Sequence, residues 1–187
     1  MISGRWIGVS RGVRLSDMTV GVGGFEEVED FLGMLHDYSS WLVLARHPYL
    51  YETLEWEDPP LIVKQILGHT RAGQTRICRD LLRVTGGSVL TNKAPEFAPP
   101  VDGPELYLHL LVTRMRHREL SMAALVADAR AEAARCGARL LRTHCWAGED
   151  GRLVRKYEQL GFTATLEFEV LRSDGSYWPG QVLQIRL

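Results

Sequence analysis

Residues 105–146 hold the pattern that most limits what this chain can fold into. Leu106-Tyr107-Leu108-His109-Leu110-Leu111-Val112 is an almost continuous apolar run, as expected of a strand buried on both faces. A basic turn follows, Thr113-Arg114-Met115-Arg116-His117. Over 119–136, Met122, Leu125, Val126, Ala129 and Ala133 recur at helical spacing, and Gly137 stops the helix. Arg139 to Trp146 is a second strand. A strand-helix-strand unit of this kind crosses over right-handed and leaves its strands parallel. The chain is therefore expected to be α/β, a mixed central sheet flanked by helices.

The other elements are read around this unit. Residues 12–21 are expected as a strand. Phe31, Leu32, Leu35, Leu42 and Leu44 predict one or two helices over 25–45. A short helix over 60–70 has Pro60 near its first turn. Strands follow at 75–79 and 82–91, with Gly86-Gly87 as a bulge or turn. A second helix over 151–160 ends at Gly161, and strands at 162–171 and 178–187 flank the turn Ser173-Asp174-Gly175-Ser176. The stretch from Ala94 to Pro104, rich in proline, is the clearest break and is expected to be a loop between two halves. One domain is expected over 1–187, with 1–104 as one half and 105–187 as the other. A chain of 187 residues can bury a core without disulfides or metals.

Charge and cysteine usage narrow the function. Lys+Arg number 22 against 23 Asp+Glu, a net charge of -1, which argues against a nucleic-acid partner. Cys78, Cys136 and Cys145 are an odd set without C-x-x-C spacing, which argues against a disulfide framework and suits a reducing cytoplasm. No apolar run has the length of a signal peptide core or a membrane span, so a cytoplasmic protein with no membrane partner is expected. His36, His47, His69 and His117 show no metal-ligand spacing, and no metal is expected. A monomer or a homodimer both fit the apolar last strands.

Three segments carry a resemblance to the GNAT acetyltransferase superfamily. Arg118-Glu119-Leu120-Ser121-Met122-Ala123 resembles the family's Arg/Gln-x-x-Gly-x-Gly/Ala signature after a strand and a basic turn. The strand Leu140 to Trp146 follows the helix in the family's order. Leu153 to Phe162 is similar to its Tyr-x-x-x-Gly-Phe segment, through Tyr157, Gly161 and Phe162. The ending Trp178-Pro179-Gly180-Gln181-Val182-Leu183 is similar to that of actinobacterial members. The resemblance is good over 105–187 and weak before it. It implies the GNAT fold, with the fourth and fifth strands splayed into a cofactor cleft.

It further implies transfer of an acyl group, read as acetyl, from acyl-CoA to a small-molecule amine by direct attack. The cofactor would be acetyl-CoA or another acyl-CoA, held by Leu111, Val112, Arg114, Arg118, Glu119, Leu120, Ser121, Met122 and Ala123. Physically, a strand-turn-helix junction offers unpaired N–H groups at the positive end of a helix dipole, an anion site suited to a diphosphate. Tyr157 matches the family position whose phenol protonates the leaving thiolate. The backbone N–H of Val112 matches the oxyanion donor.

A base is sought among histidines, which titrate near neutrality. Strand alternation places Tyr107, His109 and Leu111 on one face, and Leu108, Leu110 and Val112 on the other. Arg142, His144 and Trp146 share a face of the next strand, so His109 and His144 are expected near each other. A hydrogen-bonded core histidine is an equally good reading of each. The acidic, aromatic segment 49–58 lies where the family binds its acceptor; Tyr51, Glu52, Trp56 and Glu57, with Trp146, are the candidate substrate contacts, and a solvated loop is the rival reading. Cys145 beside His144 points to the opposite face and is expected as a buried hydrophobe. Two departures keep a second function open. Ser121 stands where the family has glycine, and Glu119 places a carboxylate beside a diphosphate. A protein of this fold that has lost acyl transfer, binding a ligand or partner or doing other chemistry on a specialised metabolite, would carry such changes.

Overall fold

The computed structural model describes residues 14–44, 59–81, 83–172 and 175–187. Strand β1 (Met18–Val22) is followed by helices α1 (Val28–Leu44) and α2 (Pro59–Arg71). Strands β2 (Thr75–Asp80), β3 (Arg83–Thr91) and β4 (Glu105–Thr113) come next. Helix α3 (Arg118–Arg135), β5 (Leu140–Trp146), α4 (Arg152–Gln159), β6 (Thr163–Leu171) and β7 (Tyr177–Arg186) complete the order. They form one seven-stranded sheet in the order β1-β2-β3-β4-β5-β7-β6. Only β4 and β5 run parallel among the described pairs, joined by the α3 crossover. The expected first strand is shorter than 12–21. Residues 15–17 instead form a 3-10 turn, in which Asp17 accepts the N–H of Arg14.

Each helix forms where its apolar face and its stop signals agree. Val28, Phe31, Met34 and Leu35 share one face of α1 and are buried. Glu27 accepts the N–H of Gly24 just before it, and acidic residues fill its first turn. In α3, Met122, Leu125, Val126, Ala129 and Ala133 are buried as the spacing predicts. Gly137, at φ 71°, ends the segment in a conformation that glycine alone adopts without strain.

The helices cover both faces of the sheet. Helices α1 and α2 enclose Phe31, Ile66, Ile77, Val89 and Val112 on one face. Helices α3 and α4 enclose Leu90, Leu108, Val126, Leu141 and Phe162 on the other. A smaller cluster joins Ala98 of the proline-rich loop to Tyr107 and Val182, with Phe97 and Phe168 against it. Bidentate bonds of 2.7 and 2.6 Å from Arg76 to Asp128 tie β2 to α3. Arg142, almost fully buried, meets Glu105 at 2.9 Å and the Pro99 carbonyl at 2.9 Å, fixing that loop to the parallel pair.

The register of β4 departs from simple alternation. Val89 pairs with Leu110 and Leu90 with Leu108, so His109 is an extra residue, a β-bulge. The bulge reverses the faces beyond it. Tyr107, Leu110 and Val112 point to the α1/α2 side, and Leu108 and Leu111 to the α3/α4 side. This corrects the expected grouping of Tyr107 with Leu111 and of Leu108 with Leu110 and Val112. The Gly86-Gly87 pair lies inside β3, next to a bulge at Thr85 where Val84 and Gly86 pair with the adjacent Arg79 and Cys78, and it serves close packing. A Cβ on Gly87 would stand 2.5 Å from the Phe31 ring.

Gly87→Ala is expected to cost about 1–3 kcal/mol, because the Phe31 ring is itself enclosed. Gly33→Ala on α1 meets open space and is expected to gain about 0.5–1 kcal/mol from helix propensity. Denaturant unfolding of the two variants checks both signs.

Candidate functional site

Pairing between β4 and β5 runs from Glu105↔Leu140 to Leu108↔Thr143 and stops there. Both strands continue, β4 to Thr113 and β5 to Trp146, each still paired with its outer neighbour. The Thr143 hydroxyl donates to the Leu108 carbonyl at 2.9 Å and closes the last rung. Beyond it the sheet is open. The N–H of Arg114 donates to Thr85 of β3, and that of Leu90 turns to Gln74 on the far side. Antiparallel alternation then directs the N–H groups of Leu110 and Val112 to β3, and those of Leu111 and Thr113 into the opening. Val112, expected as the oxyanion donor, therefore has its N–H committed to the ladder. The bulge at His109 is the cause.

A cavity of about 900 Å³ occupies this opening and reaches both faces of the sheet. On the α3/α4 side it is lined by Arg118, Met122, Leu153 and Tyr157. On the α1/α2 side it is lined by Leu35, Ile62, Ile66 and His69, and toward β6 and β7 by Glu169 and Trp178. His109, Leu111, Val112, His144, Cys145 and Trp146 line its middle. The structure thus brings together Tyr157, His109, His144 and Trp146. Tyr51, Glu52, Trp56 and Glu57 lie outside the described residues.

The helix junction has its own electrostatics. Helix α3 begins after a 3-10 turn at Met115–His117 with His117 as its N-cap, so the N–H groups of Glu119 and Leu120 have no partner four residues back in the helix. Glu119 is paired with Lys156 of α4. Its carboxylate at this helix end therefore comes with a compensating cation. Ser121 is fully buried and its hydroxyl donates to Thr85 at 3.0 Å. Room for it comes from Gly86, where a Cβ would lie 3.2 Å from that of Ser121. Ala123 and Leu120 are partly buried on the same turn. Arg114 leaves the junction altogether. Its guanidinium bonds to the Val84 carbonyl at 2.9 Å and to Asp30 of α1 at 2.7 Å.

Three aromatic residues that sequence reading left outside the site surround His144, and one of them, Phe97, lines the cavity. The Tyr107 hydroxyl lies 3.2 Å from Nδ1 of His144. Phe97, from the proline-rich loop, stacks on Phe168 with centroids 4.1 Å apart and meets His144 edge-on at 4.9 Å. Only the proline-rich composition marked that loop, and composition carries no sign of which way Phe97 turns. His109 bonds through Nε2 to the Lys93 carbonyl at 2.9 Å.

Burial governs the titration of these groups. Desolvation pushes His144 down to about 3, with His109 nearby adding to the effect. His109 is lowered too, mainly by desolvation; its bond to Lys93 opposes this and His69 adds to it. Burial raises the Tyr107 phenol, so it keeps its proton. Burial pushes the Cys145 thiol up to about 12, which keeps it a thiol and not a nucleophile. Tyr157 is buried, with its ring edge-on to Phe162 at 5.6 Å, and still borders the cavity. No three His, Cys, Asp or Glu side chains among the described residues are grouped to hold a metal ion.

No family model and no curated protein sequence matches the chain. Solved structures do. A GCN5-related N-acetyltransferase from Kribbella flavida is 17% identical, with 93% of this chain and 100% of that one covered and a TM-score of 0.67. An acetyltransferase of the GNAT family from Listeria monocytogenes is 13% identical, with 91% and 95% covered and a TM-score of 0.66. The yncA protein of Salmonella typhimurium, solved with its cofactor acetyl-CoA, is 15% identical, with 91% and 94% covered and a TM-score of 0.63. At these identities the likeness is one of fold. The chain has the GNAT fold, a mixed seven-stranded sheet with flanking helices.

The partly buried, neutral His144 makes stability depend on pH. An unfolded His144 takes up a proton near its ordinary 6.5, whereas the folded ring does so only near 3. Between these values the unfolded chain binds the extra proton, so stability falls as pH falls below 6.5. The slope from this one ring is at most about 1.4 kcal/mol per pH unit. Urea unfolding from pH 7 to pH 4 is expected to show a shallower loss in His144→Gln than in the wild type.

Proposed function

We propose that this chain is an acyl-CoA-dependent N-acyltransferase acting on a small-molecule amine. The observation that carries the reading is the cavity through the β4/β5 opening, with a helix N-terminus at one mouth and a tyrosine at its wall. A pantetheine arm needs a narrow, mostly apolar slot with backbone donors, and Leu111 and Thr113 turn their N–H groups into this one. A fold relative solved with acetyl-CoA adds support. In this reading residues 105–187 hold the donor and 1–104 shape the acceptor side, within one domain.

The junction residues would receive the diphosphate through the N–H groups of Glu119 and Leu120. The Ser121 side chain turns inward to Thr85 and does not block that surface. Lys156 offsets the carboxylate of Glu119. Arg118 is the cavity-lining cation, and Arg114 serves the α1 contact instead. The departures from the family pattern thus have local compensation, which favours a working donor site over a lost one.

The chemistry is direct attack. The neutral amine nitrogen bonds to the thioester carbon and loses a proton to a base in the cavity, and the N–H of Leu111 stabilises the oxyanion in place of Val112. The C–S bond breaks, and the Tyr157 phenol gives its proton to the thiolate. Acetyl-CoA, when bound, supplies the activated acyl group.

Purified protein is expected to bind acetyl-CoA with micromolar affinity by calorimetry. It is expected to release free thiol with at least one member of a broad amine panel. Tyr157→Phe is expected to lower kcat about 100-fold with little change in acetyl-CoA affinity. Absence of both binding and thiol release at millimolar acetyl-CoA would refute the reading.

A further inference from the structure

From the hydrogen-bond partners of the two cavity histidines we infer that they carry opposite proton roles: His109 is the base, through Nδ1, and His144 is a donor, through Nε2–H. This rests on the acyltransferase reading for its chemistry, but the proton positions follow from the structure alone.

The partner of His109 is a backbone carbonyl, which only accepts. Nε2 of His109 must therefore carry the proton and donate to Lys93. In the neutral ring the lone pair is then left on Nδ1. His144 has the reverse constraint. Its Nδ1 faces the hydroxyl of Tyr107, a side chain with no exposed surface. A hydroxyl that merely accepted from Nδ1–H would leave its own proton in a buried place without a partner, an arrangement that folded proteins avoid. The hydroxyl therefore donates, Nδ1 accepts, and the His144 proton sits on Nε2. The lowered titration of both rings keeps them neutral near pH 7. Two histidines of one cavity thus present one lone pair and one N–H.

The reaction divides accordingly. The attacking amine loses a proton to Nδ1 of His109 as its C–N bond forms, and the carbonyl π pair moves to oxygen. The Nε2–H of His144 donates to an acceptor atom of the bound reactants. Collapse reforms the carbonyl and breaks C–S, and the thiolate takes the Tyr157 proton. The proton on His109 returns to Tyr157 through water. Amine and thioester become amide and thiol, with no net proton gained or lost. Tyr107 is a positioning residue, acting only through the His144 ring.

Histidine side-chain ¹⁵N spectra of the full-length protein at pH 7 test the proton positions without any substrate. His109→Gln and His144→Gln assign the signals. Both rings are expected as neutral Nε2–H tautomers, and Tyr107→Phe is expected to move the Nδ1 signal of His144 alone. Kinetics with the amine found in the panel then test the roles. His109→Gln is expected to lower kcat about 100-fold. His144→Gln, whose amide still donates, is expected to lose about 10-fold, and His144→Leu about 100-fold. An Nδ1–H tautomer at His109, a charged His144 ring, or His109→Gln retaining its kcat would overturn the inference. Correct tautomers in a protein that turns over no amine would refute the acyltransferase reading and the base role together, and leave only the assigned hydrogen bonds.

Discussion

The architecture of this protein turns on where one parallel pairing stops. β4 and β5 share four register pairs, and then the bulge at His109 bends β4 away. The opening does not unravel the sheet, because beyond the last rung each strand keeps its antiparallel neighbour, β3 for β4 and β7 for β5. Thr143 seals the last rung by bonding the Leu108 carbonyl. From this one break follow the cavity, the exposed N–H groups of Leu111 and Thr113, and the placing of His109 and His144 on its walls.

Around the break, polar groups are held by partners distant in sequence. Arg142 is almost enclosed, and its guanidinium is met there by Glu105 and the Pro99 carbonyl. The same contact anchors the loop that carries Phe97 to the cavity rim. Glu119 with Lys156, Ser121 with Thr85 and Gly86, and Arg114 with Asp30 show one logic at the helix junction. Each residue that departs from, or leaves, the family pattern is met by a complementary one on another element. The exposed pairs among these contribute little to stability. Their effect is to set the local charge and to decide which groups face the cavity.

Most of the elements were legible because their signals are local. The buried face of α3, the glycine stops of α3 and α4 and the strands around them lie within a few residues of the predicted limits. The bulge was not legible. Leu106 to Val112 is apolar on both faces, so an extra residue leaves no break in the pattern, and simple alternation then misplaces every side chain after it. Tyr157, His109, His144 and Trp146 stand out in the sequence because their residue types carry chemistry, and all four border the cavity. Tyr107 and Phe97 were missed as site residues because their importance lies in contacts with His144, 37 residues away for Tyr107. The diversion of Arg114 rests on Asp30, 84 residues earlier, and no local rule anticipates that.

The central claim is that the open edge of β4 receives the donor thioester arm. Amide hydrogen exchange of the protein with and without saturating CoA tests it at single residues. The account expects the N–H groups of Leu111 and Thr113 to gain strong protection on binding, while Val112, already in the β3 ladder, changes little. CoA binding that leaves Leu111 and Thr113 unprotected would contradict the account and place the cofactor elsewhere on the fold.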